Sequence, residues 1–188
     1  MIRTIIAKAI LALNRKLKGI WKQYFLMPYW KEAFKSIGEN VYIGDHSSFI
    51  FDHVEIGNNV FIGEGASFIA AVATIHIGNH VMFGPHVTIR GGDHRIDVVG
   101  RYIDSIDNSE KLPENDQDVY IEDDVWIGCN VTILKGVRIG RGSVVGAGSV
   151  VVKSIPPYTI HVGSPGIKEF SRFSENEIQR HEEILGHP

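Results

Sequence analysis

Residues 119–151 read VYIEDDVWIGCNVTILKGVRIGRGSVVGAGSVV. Within this stretch an apolar residue recurs at every sixth position, from Ile121 to Val151. Glycine often follows this apolar anchor, and a small or β-branched residue often comes four positions after it. A period of six residues leaves room for one short strand and one corner, so the stretch predicts a repeat architecture.

The same period extends back to residue 37, in five triplets of anchors. Three units close one triangular coil of 18 residues, and the coils stack by parallel strand pairing about 4.8 Å apart. The sequence therefore predicts an all-β fold, a parallel β-helix of about five coils. The anchors are Ile37, Ile43, Phe49, Ile56, Ile62, Phe68, Ile77, Phe83, Ile89, Ile121, Ile127, Ile133, Ile139, Val145 and Val151.

Three junctions between triplets are longer than six residues. Phe49 and Ile56 are seven apart, Phe68 and the next anchor nine, and Ile89 and Ile121 thirty-two. The last junction predicts a polar extruded loop over 95–118, and a long loop in a compact repeat is usually functional. The predicted organisation is an N-terminal amphipathic segment over 1–36, a β-helix domain over 37–166 and a helical tail over 167–188. In the tail, Ser174 and Glu177 form a capping-box pattern at the start of a helix.

Charge is unevenly distributed along the chain. Residues 1–35 carry eight basic residues and one acid, Glu32, whereas the whole chain has a net charge of −3. Apolar residues at three- and four-residue spacing predict an amphipathic helix over residues 1–25. This helix packs on the main domain or on another subunit, or it lies on an anionic membrane. No secretory signal pattern is visible, so a cytoplasmic location is predicted.

The composition excludes several classes of protein. One cysteine in the chain excludes a disulfide framework and a multi-cysteine zinc site. The overall charge gives no case for nucleic acid as a partner.

His94 lies where the extruded loop begins, directly after Gly91, Gly92 and Asp93. A histidine with a pKa near neutrality can remove a proton from a hydroxyl nucleophile, so His94 is a candidate general base. The alternative is a solvated corner histidine. Asp93 occupies a position that usually points inward, where a buried carboxylate would need the adjacent imidazole or Arg95 as a partner. The alternative is a turn aspartate that bonds its own backbone.

Several motifs resemble the acetyl-CoA-dependent O-acetyltransferases of the left-handed β-helix, hexapeptide-repeat class. The motifs are DVWIG at 124–128, VTILKGVRIG at 131–140, VGAGSVV at 145–151, IPPY at 155–158 and GSP at 163–165. The resemblance covers about residues 37–170. It implies a left-handed β-helix, acetyl-CoA as the donor of the acetyl group with no metal required, and His94 as the general base. The relatives include sugar, surface-polysaccharide and streptogramin acetyltransferases.

The family further implies a homotrimer whose sites lie between subunits. In such a site Trp126 would flank the slot for the pantetheine arm. The backbone N–H groups of Gly128, Cys129 and Ala147 would face the thioester or the pantetheine amides. Lys153 would lie near the phosphates of the coenzyme. The expected activity is acetyl transfer to a saccharide hydroxyl, as in bacterial surface polysaccharide synthesis, with Asp93 and His94 at the catalytic position.

Three other functions fit parts of the sequence. A streptogramin-type acetyltransferase would use the same chemistry on a different acceptor. A metal-dependent hydratase of the carbonic-anhydrase type would need three converging histidines, for which His76, His80, His86 and His94 are available. A β-helix scaffold docked to a membrane would bind no coenzyme. Counting one coil of 18 residues from His76 also predicts that its imidazole lies beside that of His94.

Overall fold

The computed structural model describes residues 2–163 and 168–186 of the chain. The chain divides into two compact units, residues 1–34 and residues 35–188.

The first unit is helical. Helix α1 spans Ile2–Trp21, a π-helical turn spans Lys22–Leu26, and helix α2 spans Met27–Ala33. The helix predicted over residues 1–25 is confirmed over Ile2–Trp21, and the chain then continues as the π-helical turn. Pro28 lies in the first turn of α2, where its missing N–H is tolerated. Among the described residues, no helix is long and apolar enough to cross a membrane.

The second unit is built mainly of short strands in three sheets. The first sheet has the order β1-β4-β7-β10-β13, the second β2-β5-β8-β11-β14-β16-β17 and the third β3-β6-β9-β12-β15. All neighbours pair in parallel except β16 and β17. The strands are β1 Ser36–Ile37, β2 Tyr42–Ile43, β3 Ser48–Phe49, β4 Val54–Ile56, β5 Phe61–Ile62, β6 Ser67–Ile69, β7 Ile75–Ile77, β8 Met82–Phe83, β9 Thr88–Arg90, β10 Val119–Ile121, β11 Trp126–Ile127, β12 Thr132–Ile133, β13 Arg138–Ile139, β14 Val144–Val145, β15 Val150–Val151, β16 Thr159–Val162 and β17 Lys168–Ser171.

The apolar anchors form the core. Fourteen of the fifteen are buried, and Ile37 at the N-terminal end is partly exposed. Register explains this burial, because each anchor pairs with the anchor of the next coil, as Ile62 does with Phe83. The rings of Phe49, Phe68 and Phe83 follow one another at centroid distances of 5.4 and 5.2 Å. The predicted parallel, mostly β architecture is thereby confirmed.

Most corners place one residue in the left-handed region, three positions after the anchor. These corner residues are Asn40, His46, Asn59, Gly65, His80, His86, Asp124, Asn130, Gly136, Gly142 and Gly148. Glycine, asparagine, aspartate and histidine are the residue types that enter this region most readily. The glycine directly after the anchor has a different task. A Cβ on Gly84 would lie 2.6 Å from the Cys129 nitrogen of the next coil, so this glycine permits close stacking.

All three insertions fall on the same connection, the one from the third sheet back to the first. They follow β3, β6 and β9. The last and longest runs from residue 91 to residue 118. It contains three short 3-10 turns, Ile103–Ser105, Asn108–Glu110 and Pro113–Asn115.

The C-terminal tail contains helix α3, Glu175–Leu185. The predicted capping pattern is confirmed, since the Glu177 carboxylate accepts from the Ser174 backbone N–H at 2.8 Å. The Glu182 carboxylate accepts from the Tyr158 hydroxyl and pairs with Arg141 at 3.3 Å. Burial and this hydrogen bond to Glu182 raise the pKa of Tyr158 to about 12. The helix is therefore fastened to the sheets by polar contacts.

Candidate active site

The long loop is closed at its base by backbone contacts between its two ends. Gly92 and Asp116 form an antiparallel bridge. The Gln117 N–H donates to the Gly91 carbonyl, and the Asp93 N–H donates to the Asn115 carbonyl, both at 2.9 Å. The segment between these contacts is therefore anchored to the sheets at both of its ends.

Asp93 joins the two ends of the loop to the next coil. Its side chain is half-exposed, which corrects the expectation that this position points inward. Lys135 Nζ lies 2.5 Å from one carboxylate oxygen of Asp93, and the Asn115 amide donates to the other at 2.9 Å. The expected partner Arg95 instead pairs with Asp97 at 2.8 Å. Asp93 thus holds the loop in place through residues that the sequence did not single out.

The ionisation of Asp93 is favoured by these contacts. Burial opposes ionisation, but the hydrogen bonds from Lys135 and Asn115 outweigh it and lower the pKa of the Asp93 carboxyl group. A carboxyl group whose pKa is lower in the folded state contributes stability above its unfolded pKa of about 3.9. This contribution is lost as the pH falls through the lower, folded value. The contacts of Asp93 therefore persist at neutral and mildly acidic pH.

His94 is exposed and lines a cavity formed by the loop. The other lining residues are Arg101, Tyr102, Ile103 and Asp104, and the cavity has a volume of about 500 Å³. Pockets for small ligands commonly have volumes of 300–1,000 Å³. Within the loop, Arg101 is held by Glu110 at 2.6 Å. An imidazole, a guanidinium and a phenol thus face one open space.

The prediction that His76 and His94 occupy equivalent positions on neighbouring coils is wrong. The residue beside His76 on the next coil is Tyr120, and the two rings stack at 4.5 Å. The reason is that the coil after β9 leaves the sheets for the long loop before it returns as β10. His94 belongs to that excursion and occupies no position in the ladder.

His76 instead belongs to a polar column on the first sheet. Its Nδ1 lies 2.6 Å from Glu55, and its Nε2 lies 3.5 Å from Asp118. Arg138 lies over the Tyr120 ring at 4.1 Å. Across residues 2–163 and 168–186, no three His, Cys, Asp or Glu side chains are grouped so that they could hold a metal ion. Two of the other candidate histidines, His80 and His86, are left-handed corner residues.

The expected coenzyme residues lie on a different part of the chain. Trp126 is exposed on the outer face of the second sheet, and Cys129 and Ala147 follow β11 and β14. The Gly128 N–H donates to the Val145 carbonyl at 2.8 Å, so it is engaged in the sheet. A Cβ on Gly128 would lie 2.6 Å from the Ala147 nitrogen.

The structure therefore separates two sets of candidate residues within one chain. Asp93 and His94 lie on the connection from the third sheet to the first. Trp126, Gly128, Cys129 and Ala147 lie on neighbouring coils, along the second sheet and its corner with the third. Lys153 is exposed after β15.

Comparison with known proteins identifies the class of this fold. Residues 118–153 match the family model for the bacterial transferase hexapeptide, six repeats. A hexapeptide-repeat-containing acetyltransferase from Vibrio cholerae O1 biovar eltor, complexed with acetyl coenzyme A, is 31% identical. That match covers 77% of this chain and 75% of the other, with a TM-score of 0.66. No curated protein sequence matches this chain significantly.

Two further solved structures belong to sugar-modifying enzymes. A maltose O-acetyltransferase from Clostridium difficile 630 is 31% identical over 78% of this chain and 73% of its own, with a TM-score of 0.63. A galactoside acetyltransferase in complex with coenzyme A is 26% identical over 79% of this chain and 70% of its own, with a TM-score of 0.62. The fold and these identities define an acyltransferase. The chain belongs to the hexapeptide-repeat acetyltransferases.

Proposed function

We propose that this chain is an acetyl-CoA-dependent O-acetyltransferase that acetylates a saccharide hydroxyl, in the synthesis of a bacterial surface polysaccharide in the cytoplasm. The observation that carries the proposal is the position of His94. Its exposed imidazole lies at the base of the long loop and lines a cavity of about 500 Å³. The maltose and galactoside enzymes among the similar structures support a saccharide as the acceptor.

The proposed chemistry needs one proton carrier. Acetyl-CoA supplies the acetyl group as an activated thioester. His94 accepts the proton of the acceptor hydroxyl as the oxygen attacks the acetyl carbonyl, and returns it to the departing thiolate sulfur. Arg101 and Tyr102 line the same cavity, and we assign them to acceptor binding. Asp93 positions the histidine through the base of the loop.

For the coenzyme we propose a slot along the later coils. Trp126 offers an exposed indole, and Cys129 and Ala147 offer backbone groups at adjacent corners. Gly128 contributes by allowing the coils to approach closely, because its own N–H is engaged by Val145. Lys153 would pair with phosphate groups.

The assembly proposed is a homotrimer with each site between two subunits. Its catalytic domain is a left-handed β-helix over 37–166 with an extruded loop over 95–118, flanked by segments 1–36 and 167–188. A column of exposed apolar side chains on the second sheet supports a subunit interface. It consists of Tyr42, Phe61, Met82 and Trp126. An apolar column of this kind is a typical site of association. The placement of His94 and Trp126 on different parts of one chain also fits a site that two subunits complete.

Thiol release from acetyl-CoA is the test of this function. We expect acceptor-dependent release with at least one simple or nucleotide-linked saccharide, matched by formation of an acetylated sugar. The same saccharide with its hydroxyl groups methylated is the control and should release no thiol. Release with streptogramins alone, or with no saccharide in the panel, would contradict the proposal.

The contact between Asp93 and Lys135 gives a further prediction. Replacing Lys135 with methionine removes the cation that holds Asp93, so the loop and His94 should lose their fixed position. We expect kcat/KM to fall on the order of tenfold, because small misplacements of a catalytic group are costly. Limited proteolysis within residues 95–118 should become faster. Lys16→Met removes an exposed lysine of helix α1 and should change neither measurement. Unchanged proteolysis and turnover in Lys135→Met would show that this ion pair does not position the site.

A further inference from the structure

Helix α1 presents an apolar face that is not buried. Its face consists of Ile6, Ile10, Leu13, Leu17 and Ile20, at alternating four- and three-residue spacing, and each is 43–60% exposed. The other described side chains of α1 are exposed as well. A helix whose described side chains are all exposed gains little from packing through them, and packing is the usual source of helix stability in proteins. This exposed apolar face is therefore a candidate docking surface.

Aromatic side chains gather at the C-terminal end of this face. Trp21, Tyr24, Phe25 and Tyr29 are all more than half exposed. The rings of Trp21 and Phe25 stack at 4.6 Å. Tryptophan and tyrosine are enriched at the level of lipid headgroups, where an amphipathic ring contacts both acyl chains and water. A cluster of four exposed aromatic residues beside an aliphatic face has the composition of an interfacial helix.

The charge of the segment indicates which of two occupants, a lipid surface or a second copy of the helix, would cover the apolar face. Residues 1–31 contain seven lysine or arginine residues and no acid, and Glu32 is the first acidic residue of the chain. Two such helices packed together would bring like charges close without acidic side chains to pair with them. Anionic headgroups, in contrast, attract a basic segment directly. The charge pattern therefore favours anionic lipid as the occupant.

We propose that residues 2–29 form an amphipathic anchor that binds the surface of anionic phospholipid bilayers. The aliphatic face enters the boundary between headgroups and acyl chains, the aromatic cluster lies at headgroup level, and the positive charge of the segment attracts the anionic headgroups. The helix lies in the plane of the surface. This property is independent of the acetyl-transfer activity and would bring the enzyme to acceptors carried at a membrane.

Vesicle co-sedimentation of the full-length protein tests the proposal. We expect binding to vesicles that mix phosphatidylglycerol with phosphatidylcholine, and much weaker binding to phosphatidylcholine alone. Raising the salt concentration to about 0.5 M should weaken binding, because it shortens the screening length. Equal binding to both vesicle types at all salt concentrations, or no binding at all, would overturn the proposal.

A pair of matched variants isolates the apolar face. Leu13→Gln with Leu17→Gln replaces two exposed apolar residues without changing the charge and should lower the vesicle partition coefficient by about tenfold or more. Ala12→Gln with Asn14→Gln changes two neighbouring exposed positions and should stay within about twofold of the wild type. Equal losses in both variants would count against the apolar face.

A measurement without lipid tests whether a second copy of the helix covers the apolar face instead. If the Leu13 and Leu17 variant dissociates the oligomer in sedimentation velocity, then the face is a contact between copies and the lipid proposal is wrong. We expect an unchanged oligomeric state. Acetyl transfer in solution should also be unchanged in both variants, so a failure of the anchor and a failure of the proposed enzyme activity are told apart.

Discussion

Replacing His94 with asparagine is expected to lower kcat by roughly 10²–10⁴-fold, the usual contribution of a general base. Asparagine keeps a polar side chain of similar size but cannot accept a proton near neutral pH. The variant should fold normally, because His94 is exposed and lies outside the sheet ladders. Its affinity for coenzyme A, measured by calorimetry, should stay close to that of the wild type.

His46→Asn provides the matched control for this substitution. His46 is an exposed corner residue in the left-handed region, which asparagine also adopts readily. The control should retain wild-type turnover. Turnover in His94→Asn within about threefold of the wild type would remove His94 from the catalytic role.

The second large effect concerns the core. Phe68→Ala is expected to lower the free energy of unfolding by about 3–5 kcal/mol, the usual cost of truncating a buried phenylalanine. Phe68 is fully buried, and its ring contacts those of Phe49 and Phe83. Truncation of the ring would leave a cavity between neighbouring coils. Each coil contacts only the coils on either side of it, so no other element can fill that cavity.

Denaturant unfolding at a fixed protein concentration measures this loss, since subunit association also stabilises the fold. Phe170→Ala is the matched control. Phe170 is 55% exposed on strand β17 and lies outside the apolar column proposed as the subunit interface. Truncation there should cost about 1 kcal/mol. Similar losses in both variants would show that the inner anchors do not dominate the stability.

The six-residue period predicted most of the fold because one physical requirement repeats at every side of the triangle. Each side needs one inward apolar residue, so Ile127 and Ile133 could be placed without any long-range information. The corner was less well predicted. The glycine after the anchor permits close stacking of the coils, as at Gly84, and the period alone did not assign it this task. The turn itself lies three positions after the anchor, where Asn, Asp, His and Gly alternate in the sequence.

The six-residue period could not predict the contacts at the base of the loop. Asp93 meets Lys135 across 42 residues of sequence, and this pairing depends on how the loop closes. The same loop explains why the prediction that His76 and His94 are neighbours was wrong. Counting 18 residues from His76 assumes a coil without an inserted loop. Asn115 carried a local signal, since it ends a short turn that begins at Pro113. Tyr102 carried none that distinguishes it from an ordinary loop residue.

Because all three insertions fall on the same connection, this edge of the molecule can accept segments of different length. Strand partners on either side are fixed by the coils above and below, so a segment added or exchanged there disturbs no register. Related chains could therefore diverge in the residues that recognise an acceptor while they inherit an unchanged framework. Protein engineers could use the same edge as a grafting point, exchanging residues 95–114 for a foreign loop and keeping Asn115, Asp116 and Gln117, which close its base.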